Sequence, residues 1–361
     1  MKIVHAYKDA YPPLIAGITR YIAMVSGAAA QRGHDVEIYV AGVGHSRRDV
    51  LPDGVVVNRY AEHGRLLSNP LSPALVRAIR RIRADVIHLH MPNPLGELGA
   101  VQQETPIVSS FHSQLGRQRM LEPFYRPLQQ RLLSRSTCVL VSSPKMLELP
   151  ELERHRDRTV VLPYGVNPEL VGPAPAERAP DAPIRLLFVG RLVYYKGIEV
   201  LLDAVSLLDG VEVTIIGEGP LGPELSRRVL REDTLRDRVI IRGGVSDTEL
   251  AAAYRTHHVF VAPSVSRAEA FGISMAEALA NGLPAISTSL GTGTDWVNED
   301  GTTGLVVPPK DPAALGAAVE ALKELSLWTR LSRGAQEVAQ LRYSPVAHCD
   351  VLFRQYEAAA T

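Results

Sequence analysis

The sequence predicts an α/β protein built from two doubly wound, parallel-sheet domains. Three observations carry this. Short, almost continuously apolar, β-branched runs alternate with helical patterns from end to end, as parallel strands covered on both faces require. The alternation runs through twice, with PELVGPAPAERAPDAP (168–183), rich in Pro and Ala, between the copies. The length of 361 residues exceeds one ordinary core and fits two domains.

In the first half the strand runs are KIVHAY (2–7), VEIYVAG (36–42), DVIHLHM (85–91), PIVSSFH (106–112), TCVLVSS (137–143) and TVVLPYG (159–165). In the second half they are IRLLFVG (184–190), VEVTIIG (211–217), RVIIRGG (238–244), HVFVAPS (258–264), PAISTS (284–289) and TGLVVPP (303–309). Helical stretches such as 74–84, 195–208 and 311–325 lie between them. The expected domains are 1–168, a linker over 169–183, and 184–344. The closing segment, 345–361, holds a helix with no strand after it, which leaves it available to pack back on the first domain. Two such domains create a central cleft, and open α/β sheets bind ligands at the carboxyl ends of their strands.

Composition narrows the function. Lys plus Arg equals Asp plus Glu at 39 each, which argues against a nucleic-acid partner. The two cysteines, Cys138 and Cys349, have no metal-ligand spacing and read as buried thiols of a reducing compartment. The first residues, MKIVHAYKDAYPP, lack the long apolar stretch and small-residue cleavage site of a secretory leader, so none is expected, and no apolar run approaches membrane length. The expected location is the cytoplasm, with peripheral contact at the inner face of the membrane left open.

One segment matches the dinucleotide fingerprint: Gly217, Gly219 and Gly222 in GEGPLG. A nicotinamide-dependent dehydrogenase is therefore a rival reading. However, Pro220 and Pro223 interrupt the turn, and the next strand ends in Arg242 and glycines, not in a ribose-binding acid. The loop reads as a tight strand-to-helix turn. A stronger pattern is FVGRLVYYKG (188–197), where Arg191 and Lys196 follow a strand ending at Gly190. Two cations at a strand's carboxyl end suit a diphosphate, although solvated surface cations fit equally well in isolation. A third is EAFGISMAE (269–277). Gly272, Ile273 and Ser274 fall near a helix N-terminus, where amides attract phosphate. Glu269 precedes them and Glu277 lies within the helix, where it can accept ribose hydroxyls; each alone also fits an ordinary helix charge.

Together these residues resemble retaining GT-B glycosyltransferases of family four. The order of elements is similar over nearly the whole chain. The resemblance implies a GT-B fold and transfer of a sugar from a nucleotide donor with retention, without a cofactor or an obligatory metal. It implies that Arg191 and Lys196 bind the donor diphosphate and Glu269 the donor sugar. Ala270, Phe271, Gly272 and Ile273 would supply contacts to sugar and phosphate, and Glu277 would hold the ribose. Gly190 and Gly217 would line the donor site, and Gly17 would face the diphosphate from the first domain. His112, in SFHS, is similar to the family's active-site histidine near the acceptor, where it would orient groups or share charge. Front-face attack, with the leaving phosphate helping to deprotonate the acceptor, is the implied route.

The chain departs from the family pattern in places. Ala16–Gly17 stands where two glycines are common, Tyr164 replaces Asn in a Pro-Asn-Gly-Val-Asp segment, and GTGTDWVN (291–298) leaves Asp295 near an acidic position. The LVYYKG, EAFGI and GTGT pieces are similar to mannosyltransferases of bacterial surface polysaccharide synthesis. This favours GDP-mannose as donor, with a UDP-sugar as rival. The acceptor is a glycan, a lipid-linked glycan or a small molecule. Basic residues of the first domain, Arg77, Arg80, Arg81 and Arg83, then Arg117, Arg119, Arg126, Arg131 and Arg135, are interleaved with apolar ones. They fit anionic lipid or a polyprenyl-diphosphate-linked glycan, and equally a solvated helix face. A non-catalytic binder of sugar nucleotides is the remaining alternative.

Overall fold

The computed structural model describes residues 1–10, 17–66, 69–114, 122–173, 179 and 182–361. The chain divides into two units, Met1–Pro163 with Val346–Thr361, and Tyr164–Pro345. Tyr164 belongs to the second because its ring packs edge-on against Phe271, 5.0 Å between centroids. Val166 N–H also donates to the Tyr343 carbonyl at 2.9 Å. Much of the Pro/Ala-rich stretch (174–178, 180 and 181), together with Ala16, Arg117 and Arg119, lies outside the described residues.

The first unit runs β1 (Lys2–Ala6), α1 (Gly17–Gln31), β2 (Asp35–Gly42), β3 (Arg47–Val50), β4 (Val56–Ala61), the short pair β5 (Arg65–Leu66) and β6 (Asn69–Pro70), α2 (Pro73–Ile79), β7 (Val86–Met91), α3 (Pro94–Ala100), β8 (Ile107–Phe111), α4 (Glu122–Arg135), β9 (Cys138–Val141) and β10 (Thr159–Val161). Its main sheet has the order β10-β9-β8-β7-β1-β2-β4-β3. Every pairing is parallel except that of β3 with β4. The antiparallel edge was not foreseen, because RRDV has no apolar pattern and only one of its residues is even half-buried.

The second unit runs β11 (Ile184–Val189), α5 (Ile198–Ser206), β12 (Val211–Ile216), α6 (Gly222–Arg231), α7 (Asp233–Arg236), β13 (Val239–Arg242), α8 (Asp247–Thr256), β14 (Val259–Ala262), α9 (Ile273–Ala280), β15 (Ala285–Thr288), α10 (Thr294–Val297), β16 (Gly304–Val307), α11 (Pro312–Ala321) and α12 (Leu325–Arg342). Its sheet is wholly parallel, in the order β13-β12-β11-β14-β15-β16. Each unit has its own apolar core, around Leu186, Leu202 and Ile215 in the second and Leu75, Leu89 and Val139 in the first. The stretch expected to be helical from 195 instead opens with a 3-10 turn, Tyr194–Lys196, and α5 begins at Ile198.

The last helix, α13 (Pro345–Ala360), contributes Val346 onward to the first unit. Its contacts are polar as well as apolar. His348 Nδ1–H donates to the Pro163 carbonyl at 2.6 Å, so its Nε2 accepts from Tyr21 OH at 3.0 Å. Tyr356 OH lies 2.6 Å from His88 Nδ1, and Arg32 pairs with Asp350. Cys138 and Cys349 are both buried free thiols, pushed up to about 11 by burial. Among the described residues no helix is long and apolar enough to cross a membrane.

Tyr356→Phe removes a hydroxyl from a fully buried imidazole and leaves His88 Nδ1 without a partner. Urea unfolding should show a loss of about 1–3 kcal/mol. An unchanged midpoint would mean that the Tyr356 hydroxyl contributes nothing to holding α13.

Candidate donor site

The strand order of the second unit creates a switch point between β11 and β14, where the crossovers leave in opposite directions and a crevice opens at the strands' carboxyl ends. Two loops meet there. One follows β11 and carries Gly190, Arg191 and Lys196; the other follows β14 and carries Ser264, Glu269 and Gly272. Lys196 Nζ lies 2.5 Å from Glu269 Oε2, with the side chains only 15% and 12% exposed. Ser264 Oγ donates to the same carboxylate oxygen at 3.4 Å. A cavity at this point is lined by Lys196, Ser264, Glu269, Gly272, Ser274 and Thr294, among others.

The electrostatics are balanced. Burial alone would push the Lys196 ammonium down, but the Glu269 carboxylate, with Tyr195, outweighs it, and the net direction is up. The Arg191 charge acts against this and is therefore felt at the same point. Arg191 itself is exposed, and no ion pair holds it among the described residues.

Gly272 caps α9 with φ of 85°, a backbone state that favours glycine. The first intrahelical bonds run from the N–H groups of Met275 and Ala276 to the Gly272 carbonyl. The N–H groups of Ile273 and Ser274 thus have no intrahelical partner, the arrangement that suits an anion. Ser274 Oγ donates to the Val189 carbonyl at 2.9 Å and ties the helix start to the end of β11. Phe271 is buried in an aromatic cluster with Tyr164, Trp296 and Tyr343. Its ring anchors the loop, and half-buried Ala270 precedes it.

Glu277 is 7% exposed and accepts from Tyr254 OH at 2.7 Å. It is therefore not a solvated helix charge. Tyr254 was missed from the sequence because, within AAAYRTHH, it reads only as one more apolar helix position. Asp295 accepts from the N–H groups of Leu290 and Gly291 at 3.0 and 2.9 Å, so it shapes its own loop.

The glycine-rich GEGPLG segment serves the chain itself. A side chain on Gly217 would lie 1.9 Å from the Gly190 carbonyl oxygen, and one on Gly219 would lie 2.3 Å from that of Leu192. Gly217 N–H donates to the Arg242 carbonyl at 3.1 Å. These glycines let two loops approach, where the dinucleotide fingerprint would have them approach a pyrophosphate.

In the first unit, Gly17 is the exposed first residue of α1. His112 follows β8 and is 3% exposed, with Nε2 2.9 Å from His90 Nδ1. Burial, reinforced by the Lys8 charge, pushes it down to about 3, so it is a neutral imidazole. Among the described residues one group could bring three metal-binding atoms together: His5, His88 and His90. All of their nitrogens but His5 Nε2 are already engaged among the described residues. His5 Nδ1 meets His90 Nε2 at 3.1 Å, and His88 meets Tyr356 OH and Ser110 Oγ at 2.6 and 2.7 Å. The cluster reads as a hydrogen-bonded core.

Residues 15–170 match the family model described as Glycosyltransferase Family 4, and residues 183–324 match the one described as Glycosyl transferases group 1. The D-rhamnosyltransferase WbpZ of Pseudomonas aeruginosa is 34% identical, over 90% of this chain and 87% of its own. The O-antigen chain mannosyltransferase C of Escherichia coli is 29% identical, over 99% of this chain and 97% of its own. Among solved structures, a sucrose-phosphate synthase from Thermosynechococcus elongatus superposes with a TM-score of 0.81 over 99% of both chains at 21% identity. The Anabaena protein HepE, in complex with UDP and glucose, gives 0.79 over 99% of both at 17%. The fold is GT-B. The chain belongs to glycosyltransferase family 4, and is an enzyme that transfers a sugar.

The buried histidines set an acid limit on the first unit. Burial pushes His5 and His112 down to about 3 and His348 to about 4, and His88 and His90 well below the ordinary 6.5. The unfolded chain takes up these protons near pH 6.5, the folded chain only far lower, so stability falls as pH drops through that window. Buried Glu97, pushed up to about 7, acts oppositely, because it gains its proton on folding below that pH. Five imidazoles outweigh one carboxyl. The calorimetric melting temperature should therefore move down between about pH 7 and pH 5. A flat profile would mean that the imidazoles titrate freely in the folded chain.

Proposed function

We propose that this glycosyltransferase moves mannose from GDP-mannose, with retention and without a metal, to a bacterial surface glycan or its lipid-linked precursor. The observation that carries the reading is the half-buried Lys196–Glu269 pair beside the Gly272-capped start of α9, with Arg191 exposed next to it. It offers two cations and helix amides to a departing diphosphate, and a carboxylate to sugar hydroxyls. Relatives are named as an O-antigen chain mannosyltransferase, as phosphatidyl-myo-inositol mannosyltransferases and as a D-rhamnosyltransferase. D-rhamnose is mannose lacking one hydroxyl, so these names favour a single ring configuration.

In this reading a donor settles with its diphosphate on Arg191, Lys196 and the N–H groups of Ile273 and Ser274. Lys196 exchanges part of its Glu269 contact for a phosphate oxygen, which releases Glu269 toward the sugar. Tyr254 orients Glu277 for the ribose hydroxyls. As the glycosidic bond breaks, positive charge grows on the sugar and negative charge on the diphosphate. Fixed cations and amides stabilise the latter at no cost in reorganisation. The acceptor hydroxyl attacks from the same face and passes its proton to the departing phosphate. His112 acts on the reacting sugar as a neutral hydrogen-bonding group. The described arginines of α2 and α4 are exposed, and Phe124, 82% exposed, stands among those of α4. This surface fits a lipid-linked acceptor.

Arg191 gives the clean test, because an exposed, unpaired side chain can be removed at little cost to the fold. Arg191→Ala should keep the melting temperature of the ligand-free chain. It should abolish the upward shift caused by GDP-mannose and lower transfer by ~10²–10³. The shift should persist in EDTA and be weaker with UDP-glucose. If no sugar nucleotide raises the melting temperature, the proposal fails; a larger shift with UDP-glucose would replace GDP as the base. The two glutamates should also separate. Glu277→Ala should weaken nucleotide binding, and Glu269→Ala should lower kcat more than it weakens binding. The reverse ranking would exchange their roles.

A further inference from the structure

Three imidazoles of the first unit form a continuous line. His5 Nδ1 lies 3.1 Å from His90 Nε2, and His90 Nδ1 lies 2.9 Å from His112 Nε2. The first two ring planes differ by 14° with centroids 5.4 Å apart, the second two by 3° with centroids 5.1 Å apart. With nitrogens so close and centroids so far apart, the rings must lie end to end in nearly one plane. Sheet register builds the line. His5 stands opposite His88, and His90 opposite Ser110. Each link therefore joins a residue to the one two places further along the next strand. The line climbs diagonally over β1, β7 and the end of β8, toward the strands' carboxyl ends. A second diagonal, Tyr356 OH to His88 to Ser110 Oγ, runs beside it and braces it.

Only two protonation patterns satisfy both links, because a neutral imidazole carries one N–H and one acceptor nitrogen. Either all three rings carry the proton on Nδ1, or all three carry it on Nε2. The patterns differ at the ends of the line. The second would place an N–H on His5 Nε2, which is buried and meets no partner among the described residues. The first leaves only a lone pair there. Buried orphan N–H groups are rarer than under-used acceptors. All three rings are neutral, since burial pushes His5 and His112 down to about 3 and His90 well below its ordinary range.

We propose that the line is polarised from His5 through His90 to His112, with every proton on Nδ1. His90, anchored by His5, is then a positioning residue that fixes His112 as an Nδ1–H donor whose Nε2 accepts. In this form His112 is a neutral ring with its acceptor nitrogen already committed to His90, so in the proposed reaction it serves as a neutral group and not as a base at Nε2. This last step rests on the reading of His112 given above; the polarity itself does not.

Long-range proton–nitrogen correlation spectra of the full chain, with labelled histidine at neutral pH, read the tautomers directly. His5, His90 and His112 should each appear as neutral Nδ1–H rings. An Nε2–H ring at His112 overturns the polarity without any variant being made. His90→Phe removes the donor and should move His112 toward the Nε2–H form. It should lower kcat about tenfold, the worth of one misplaced hydrogen bond, with little change in the donor KM. His90→Asn, whose amide nitrogen can stand near the lost Nδ1, should restore the tautomer and part of kcat. An unmoved His112 tautomer in His90→Phe also overturns the proposal. His112→Ala separates the two readings. Full activity there, with Nδ1–H rings in the wild type, would remove His112 from the reaction and leave the polarised line standing.

Discussion

The Lys196–Glu269 ion pair is where the fold of the second unit and its chemistry meet. Neither charge is stable alone in so enclosed a place, since burying an unpaired ion costs several kcal/mol. The pair lets both loops of the switch point close over apolar strands while keeping two charges ready. It also makes the ligand-free site nearly neutral at its base and positive only at its rim, where Arg191 stands exposed. In the function proposed above, an arriving dianion would first meet Arg191 and then compete with Glu269 for Lys196. In that proposal, binding the diphosphate and freeing a carboxylate for the sugar are a single exchange.

Everything around the pair fixes its geometry. Gly272 turns the chain into α9, Ser274 fastens that helix to the end of β11, and Phe271 pins the loop into an aromatic cluster. Glu277 is held by Tyr254 from a different helix. The first unit follows another logic. Its buried polar groups include imidazoles that hydrogen-bond one another across strands, with α13 supplying Tyr356 and His348 to the network. A helix distant in sequence is thus a polar cover for the sheet as well as an apolar one. The histidines stay neutral because they are buried, and neutrality gives each a definite donor and acceptor side.

Most of this was legible in the sequence where the pattern was long or the chemistry distinctive. The apolar runs marked all six strands of the second sheet, and Arg191, Lys196, Glu269 and Gly272 fall on the loops where strand ends place them. RRDV escaped because an exposed edge strand has no alternation to read. Tyr254 escaped because a hydroxyl's partner cannot be seen from helical periodicity. The GEGPLG glycines matched a phosphate-binding spacing, yet they answer a steric demand from Gly190 and Leu192. Spacing alone cannot distinguish a backbone neighbour from a ligand, since both require the same missing side chain.

The sequence by itself determined the two α/β units, the family and the residue types on the loops of the candidate site, because periodicity and short motifs are local. Tertiary structure alone decided the partners: Lys196 with Glu269, Glu277 with Tyr254, and His5 with His90 and His112. These pairings depend on strand order and register, which bring together residues up to 85 positions apart. No local pattern encodes such contacts, and they set which charges are balanced, which carboxylate is held and which imidazole nitrogen bears its proton.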